Sequence, residues 1–199
     1  TVEKAISLGV DSISNTFKAT GIRIAQGSSF VSLIDLWPGI KVYKKLHFHP
    51  DSTLTCFSGG DFYSLMPFTD PRFKQITSQY VYGAHDSSFF AMAITDSALY
   101  STFLQNNSMG ITIDLGTGTF DTSTNIGQDY RRVFNYLTVT LSLSEDDALT
   151  QTIAYIMSKY NTGLALYRRK LGEAKFTKIN TKVTTVSPGN ETYAVNNCL

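Results

Sequence analysis

Apolar residues along this chain recur at two spacings, and strand-like alternation is the commoner. Val2, Ile6, Val10, Ile13 and Phe17 stand three or four apart and predict an opening amphipathic helix over 2–17. Short apolar runs then predict strands at 21–25, 30–35 and 40–48, with a turn at Trp37-Pro38-Gly39 between the last two. Runs at 54–57 and 62–65 flank Ser58-Gly59-Gly60-Asp61, which has the composition of a hairpin turn. Asp70-Pro71-Arg72 has the form of a helix start, with Phe73, Ile76 and Tyr80 on one face of a short helix.

The middle of the chain predicts further strands at 88–95, 99–104, 110–115, 119–124 and 133–143. The last of these carries Val133, Leu137, Val139, Leu141 and Leu143. The clearest helix follows. Ser144-Glu145-Asp146-Asp147 has capping-box form, and its three acids suit the positive end of the helix dipole. Leu149, Ile153, Ile156, Met157 and Tyr160 form the apolar stripe of that helix, over 145–160. Strands at 164–170 and 174–179, turning at Leu171-Gly172-Glu173, and a third at 182–186 complete the pattern. The expected fold is α+β: a mostly antiparallel sheet with two or three amphipathic helices packed against it, in a single domain spanning 1–199.

Composition narrows the function classes. Of 199 residues, 42% are hydrophobic and only 17% charged, a balance that excludes intrinsic disorder. Seventeen basic residues against sixteen acidic give a net charge of +1, so no footprint for nucleic acid or an anionic membrane is expected. No apolar run is long enough to span a bilayer, and membrane insertion is not expected either. Two cysteines, Cys56 and Cys198, are too few for a disulfide scaffold; they form one bridge or remain two thiols. Opening at Thr1 in mid-pattern, the chain reads as a domain of a longer protein.

Candidate chemistry is sparse. His47-Phe48-His49-Pro50-Asp51 sets two histidines on one side of a strand, as metal ligands require, with Asp51 as the near acid and His85-Asp86 as a distant one. Without a suitably spaced glutamate, the expectation is ordinary strand or turn histidines and no metal. No nucleophile elbow is present, and neither cysteine sits in a nucleophile context, so no catalytic residue and no cofactor are assigned. The segment 111–121, with Asp114, Gly116-Thr117-Gly118 and Asp121, resembles the phosphate-binding hairpin of the actin, sugar kinase and Hsp70 ATPase family. That resemblance implies a nucleotide-binding fragment, although a second hairpin and an adenosine site are lacking.

A charge-poor, Thr-, Tyr- and Phe-rich chain looks like a viral surface protein. The segment 164–178, Leu-Ala-Leu-Tyr-Arg-Arg-Lys-Leu-Gly-Glu-Ala-Lys-Phe-Thr-Lys, and the ending 192–199, Thr-Tyr-Ala-Val-Asn-Asn-Cys-Leu, are similar to the head of the rotavirus outer-capsid spike protein. The resemblance implies a non-enzymatic attachment domain on the virion's outer capsid surface. Its partners would be a host glycan or protein receptor, together with the rest of the spike and other capsid proteins. Familiar heads of that family are galectin-like sandwiches, from which the helices expected here depart. Trp37, Arg72, Arg131 and Arg132 are the candidate contact residues, chosen as polar or aromatic groups near turns. A purely structural virion domain is the third expectation.

Overall fold

The computed structural model describes residues 4–11, 13–19, 21–24, 40–50, 55–65, 76–187 and 190–197. The expected α+β class is what it shows. Among the described residues, nine strands form one mixed sheet: β1 (Lys4–Asp11), β2 (Phe17–Ala19), β3 (Arg23–Ile24), β4 (Ile40–His49), β5 (Ser78–Gly83), β6 (Ser88–Ile94), β9 (Leu164–Lys170), β10 (Thr177–Ser187) and β11 (Asn190–Asn197). A separate hairpin pairs β7 (Ile113–Asp114) with β8 (Thr119–Phe120). The helices are α1 (Ser97–Asn106), α2 (Met109–Thr112), α3 (Asn125–Asn135), which runs on through a π-helical turn Tyr136–Thr140, and α4 (Glu145–Lys159).

The sheet order is β11-β10-β9-β6-β5-β4-β1-β2, with β3 also on β1. Every described pairing is antiparallel except β4 with β5, where Lys44 to His49 run beside Ser78 to Gly83 in the same direction. A parallel pair requires a crossover, and residues 50–77 make it. Val81, Phe90, Met92 and Leu166 point to the face that α4 covers with Ile153 and Ile156, all essentially inaccessible to solvent.

The opening helix expected over 2–17 is instead β1, a turn and β2. Its inward positions are the small Ala5, Ser7 and Gly9, while Leu8 is exposed and Ile13 and Phe17 are almost wholly so. Of the described residues in that apparent helical stripe, Ile6 and Val10 are half-buried and Ile13 and Phe17 stand in solvent. Small residues suit the inward positions because Ala5 lies opposite His47 and Ser7 opposite Lys45, two bulky side chains.

The converse error falls on 99–104 and 133–143, expected as strands and found as helices. Asp96 caps α1 by accepting the amides of Ala98 and Leu99, each at 2.9 Å, and Tyr100 and Phe103 bury three apart. Thr124 caps α3, on which Ile126 and Val133, then Leu137 in the π-helical turn, form the buried line; Val139 is exposed. The expected strand 110–115 splits into α2 and β7, and 119–124 shortens to β8. Residues 62–65 lie in and just after a 3-10 turn, Gly60–Tyr63, and not in a strand; the described part of 54–57 is not a strand either.

Tyr80 belongs to β5, not to a helix beginning at Asp70; residues 70–75 lie outside the described residues, as do 30–35 and the Trp37 turn. The capped helix at 145 stands as expected, with Ser144 Oγ accepting the Asp147 amide at 3.2 Å. The strand 164–170 also stands, and 174–179 and 182–186 merge into the single long β10.

Candidate metal centre

Alternation along β4 sends Lys45, His47 and His49 to the helix-covered face of the sheet. His47 is only 4% exposed, contrary to the expectation of an ordinary surface histidine. Past Pro50 the chain enters the crossover and coils into the 3-10 turn Gly60–Tyr63, whose Asp61 faces back toward the strand. Asp61 Oδ1 lies 3.7 Å from His47 Nε2. The ligand atoms of His47, His49 and Asp61 all fall within 4.8 Å of one another. The two imidazole rings are 4.9 Å apart.

Ser58 holds the Asp61 carboxylate, and further bonds hold the Asp61 main chain. Asp61 Oδ2 accepts the Ser58 amide at 2.8 Å and the Ser58 hydroxyl at 2.9 Å. Gln79, fully buried on β5, donates to the Asp61 carbonyl at 2.7 Å, and Ser64 Oγ donates to the same carbonyl at 2.8 Å. Ser64 in turn hydrogen-bonds Gln79 Oε1, and Lys45 Nζ donates to the Ser64 carbonyl at 3.1 Å. The β7–β8 hairpin closes the turn from outside, its Gly118 carbonyl accepting the Gly60 amide at 2.9 Å. Gly59 lies so close to that hairpin that a β-carbon there would stand 3.0 Å from the Phe120 nitrogen.

The electrostatics favour neutral imidazole. Burial holds the His47 ring down to about 4, although the Asp61 carboxylate pulls the other way. Burial likewise pushes the Lys45 ammonium down to about 8 against the same carboxylate. Cys56, a free thiol buried near the site, is pushed up by burial to about 12 and stays protonated at neutral pH.

This donor set fits a first-row divalent cation. Two imidazole nitrogens and one carboxylate oxygen are a familiar three-ligand set for zinc, with a fourth tetrahedral position left for water or substrate. Tetrahedral ligands about 2.0–2.1 Å from zinc stand roughly 3.3 Å apart, so the 3.7 Å separation of His47 and Asp61 needs only a small closure. The hydrogen bonds of Ser58 to Asp61 are the outer support that such ligands require.

Among the described residues, the acid beside the histidine pair is Asp61; Asp51 lies outside them. His85 and Asp86, the other acid-and-histidine pair noted in the sequence, do not join the cluster; His85 bonds Asp146 and Asp86 bonds Arg168. The signal that could have found Asp61 is Ser58-Gly59-Gly60-Asp61 itself, a turn motif that also presents a carboxylate bonded by its own serine.

Of the four residues expected to contact a receptor, Trp37 and Arg72 lie outside the described residues. Arg131 is exposed on α3. Arg132 is engaged in ion pairs with Asp129 at 2.7 Å and Glu191 at 2.8 Å. The segment 111–121 forms a hairpin in which Asp114 Oδ1 accepts the Gly116 amide and Asp121 Oδ1 the Ser123 amide, each at 2.8 Å. Among the described residues, no helix is long and apolar enough to cross a membrane. No family model, curated protein or solved structure matches this chain.

Proposed function

We propose that this domain is a metal-dependent hydrolase, its ion held by His47, His49 and Asp61. The observation that carries the reading is the convergence of these three ligand groups within 4.8 Å, from one strand and the turn that follows it. A zinc ion so held would lower the pKa of a bound water to near neutrality and polarise a carbonyl or phosphoryl oxygen. The chain's own part is to keep His47 neutral by burial, to orient Asp61 through Ser58, and to limit water behind the site through Phe57 and Phe62, both fully buried.

The site lies at the carboxyl ends of the parallel pair β4 and β5, where open sheets commonly bind ligands. The test is elemental analysis of the purified domain after zinc or cobalt loading and dialysis, followed by assay on ester, amide and phosphoester substrates. One retained equivalent, lost in His49→Ala and Asp61→Asn, supports the reading; a wild type that retains none overturns it.

A second reading, the non-enzymatic viral attachment domain, draws support from the sheet's opposite face. There Phe48 and Tyr82 rings stand 5.7 Å apart and Tyr82 and Phe89 4.7 Å apart, with Arg169 over Phe89 at 4.9 Å and over Phe176 at 5.4 Å. Rings beside a guanidinium suit stacking on a sugar. Saturable binding on a glycan array, lost in Tyr82→Ala, would favour this reading over the hydrolytic one.

A further inference from the structure

We propose that His85 is a catalytic proton donor at the rim of this site, held in place by the carboxylate of Asp146; the proposal rests on the hydrolytic reading above. The placement follows from the sheet. Gly83, the last residue of β5, is the parallel partner of His49, and the Ala84 amide donates to the His49 carbonyl at 3.1 Å. His85 lies two residues beyond Gly83, a reach of about 7 Å. The carboxyl ends of β4 and β5 therefore present the ligand His49 and His85 at the same edge.

A second set of contacts fixes His85 there. Its Nδ1 lies 2.9 Å from Asp146 Oδ2, in the first turn of α4. The other oxygen of that carboxylate accepts the Thr55 amide at 2.7 Å and the Thr55 hydroxyl at 2.9 Å. Thr55 belongs to the segment between His49 and Asp61, and it packs so tightly on Gly83 that a β-carbon there would come within 2.3 Å of it. One buried carboxylate thus joins the segment linking the ligands, the His85 turn and α4.

Asp146 is 11% exposed at its side chain while His85 is 62% exposed. An ordinary surface pair would have both partners in solvent. Here the acid is sunk, the imidazole is mostly in solvent, and Nδ1 is occupied, so Nε2 is the ring nitrogen available to a substrate. The other charged groups at this corner are Asp86, beside His85 on its own turn, Arg168 on β9, which pairs with Asp86 and Asp147, and Asp147 on α4. With Arg168 bound to both of those acids, Asp146 is the carboxylate that holds the ring.

The step balances. Water supplies hydroxide to the carbonyl carbon, and the electron pair of the breaking bond goes to the leaving atom. His85 Nε2 gains the proton released as the water ionises and passes it to that atom, so the ring begins and ends neutral with its proton on Nδ1 toward Asp146. A proton donor matters where the leaving group is a poor one, such as an amide nitrogen, and little where it departs readily as an anion.

The test uses the zinc-loaded domain with two probes, fluorescein-casein for amides and p-nitrophenyl acetate for an activated ester, and nitrogen-edited NMR of the histidine rings. The expected result for His85→Gln is unchanged zinc content and melting temperature. Amide cleavage should fall about 10²- to 10⁴-fold while ester cleavage falls less than about threefold. In NMR the wild-type His85 ring carries its proton on Nδ1 when neutral. Asp146→Asn, which still offers Thr55 an acceptor, should invert that tautomer and lower amide cleavage. Equal losses on both probes, no loss on either, or an Nε2–H tautomer in the wild type would overturn the proposal alone. A domain that binds zinc and cleaves neither probe would overturn the hydrolytic reading, and this proposal with it.

Discussion

The Gly60 amide donates to the Gly118 carbonyl at 2.9 Å, and through that bond a hairpin distant in sequence holds the turn that carries Asp61. The hairpin is the segment 111–121, whose Gly-Thr-Gly turn resembles a phosphate-binding loop. Its described role in the fold is a brace. Phe120 packs edge-on against Phe62 at 5.3 Å, and Gly59 fits under the Phe120 backbone. Enlarging Gly59 to alanine should lower stability by about 1–3 kcal/mol through overpacking. Zinc affinity should fall with it, and chemical denaturation together with a zinc titration reads both effects.

Ser58 tests the carboxylate's support more gently. Removing its hydroxyl leaves the amide bond to Asp61 Oδ2 and deletes only the side-chain bond. Ser58→Ala should weaken zinc binding about 10- to 100-fold, the usual cost of losing an outer-shell partner. Isothermal titration calorimetry with zinc measures it.

Acid should destabilise the metal-free domain through His47. Burial depresses its folded value to about 4 from an ordinary 6.5, so the unfolded chain takes up the proton first as pH falls. The sign follows: this contribution is fully present above pH 6.5 and is lost progressively toward pH 4. Its size is on the order of 3 kcal/mol, taking about 1.4 kcal/mol for each unit. Urea melts across that range should show the loss, and His47→Gln should flatten it.

The arginine pair on α3 should split in its effects. Arg131 is exposed, and Arg131→Ala should change stability by less than about 0.5 kcal/mol. Arg132 joins Asp129 on its own helix to Glu191 on β11, and Asp129 also accepts Lys159 Nζ at 2.6 Å and the Tyr160 hydroxyl at 2.7 Å. Arg132→Ala should cost roughly 1–3 kcal/mol by leaving these acids short of a partner. Thermal melts of the two variants make the comparison.

Much of the sheet was legible in local pattern. The strands expected at 40–48, 88–95 and 164–170 stand as β4, β6 and β9, and the Ser144 cap announces α4 unaided. The failures have one physical source. Over four to eight residues, periods of 2 and 3.6 share positions four apart, so Val133 with Leu137 reads equally as strand or helix until a neighbour decides. At β1 the deciding neighbours were His47 and Lys45, whose bulk calls for Ala5 and Ser7 opposite, and no window along β1 alone contains them. The candidate site was half legible for the same reason. His47 and His49 declare a shared side through their spacing, whereas Asp61 reaches them only because the crossover folds back and the 113–120 hairpin holds it there.

The most direct measurement is the zinc content of the wild-type domain beside Asp61→Asn after identical loading and dialysis. A metal centre at His47, His49 and Asp61 predicts one equivalent in the wild type and none in the variant, with both proteins folded by circular dichroism. Equal zinc in the two, or none in the wild type, would contradict it.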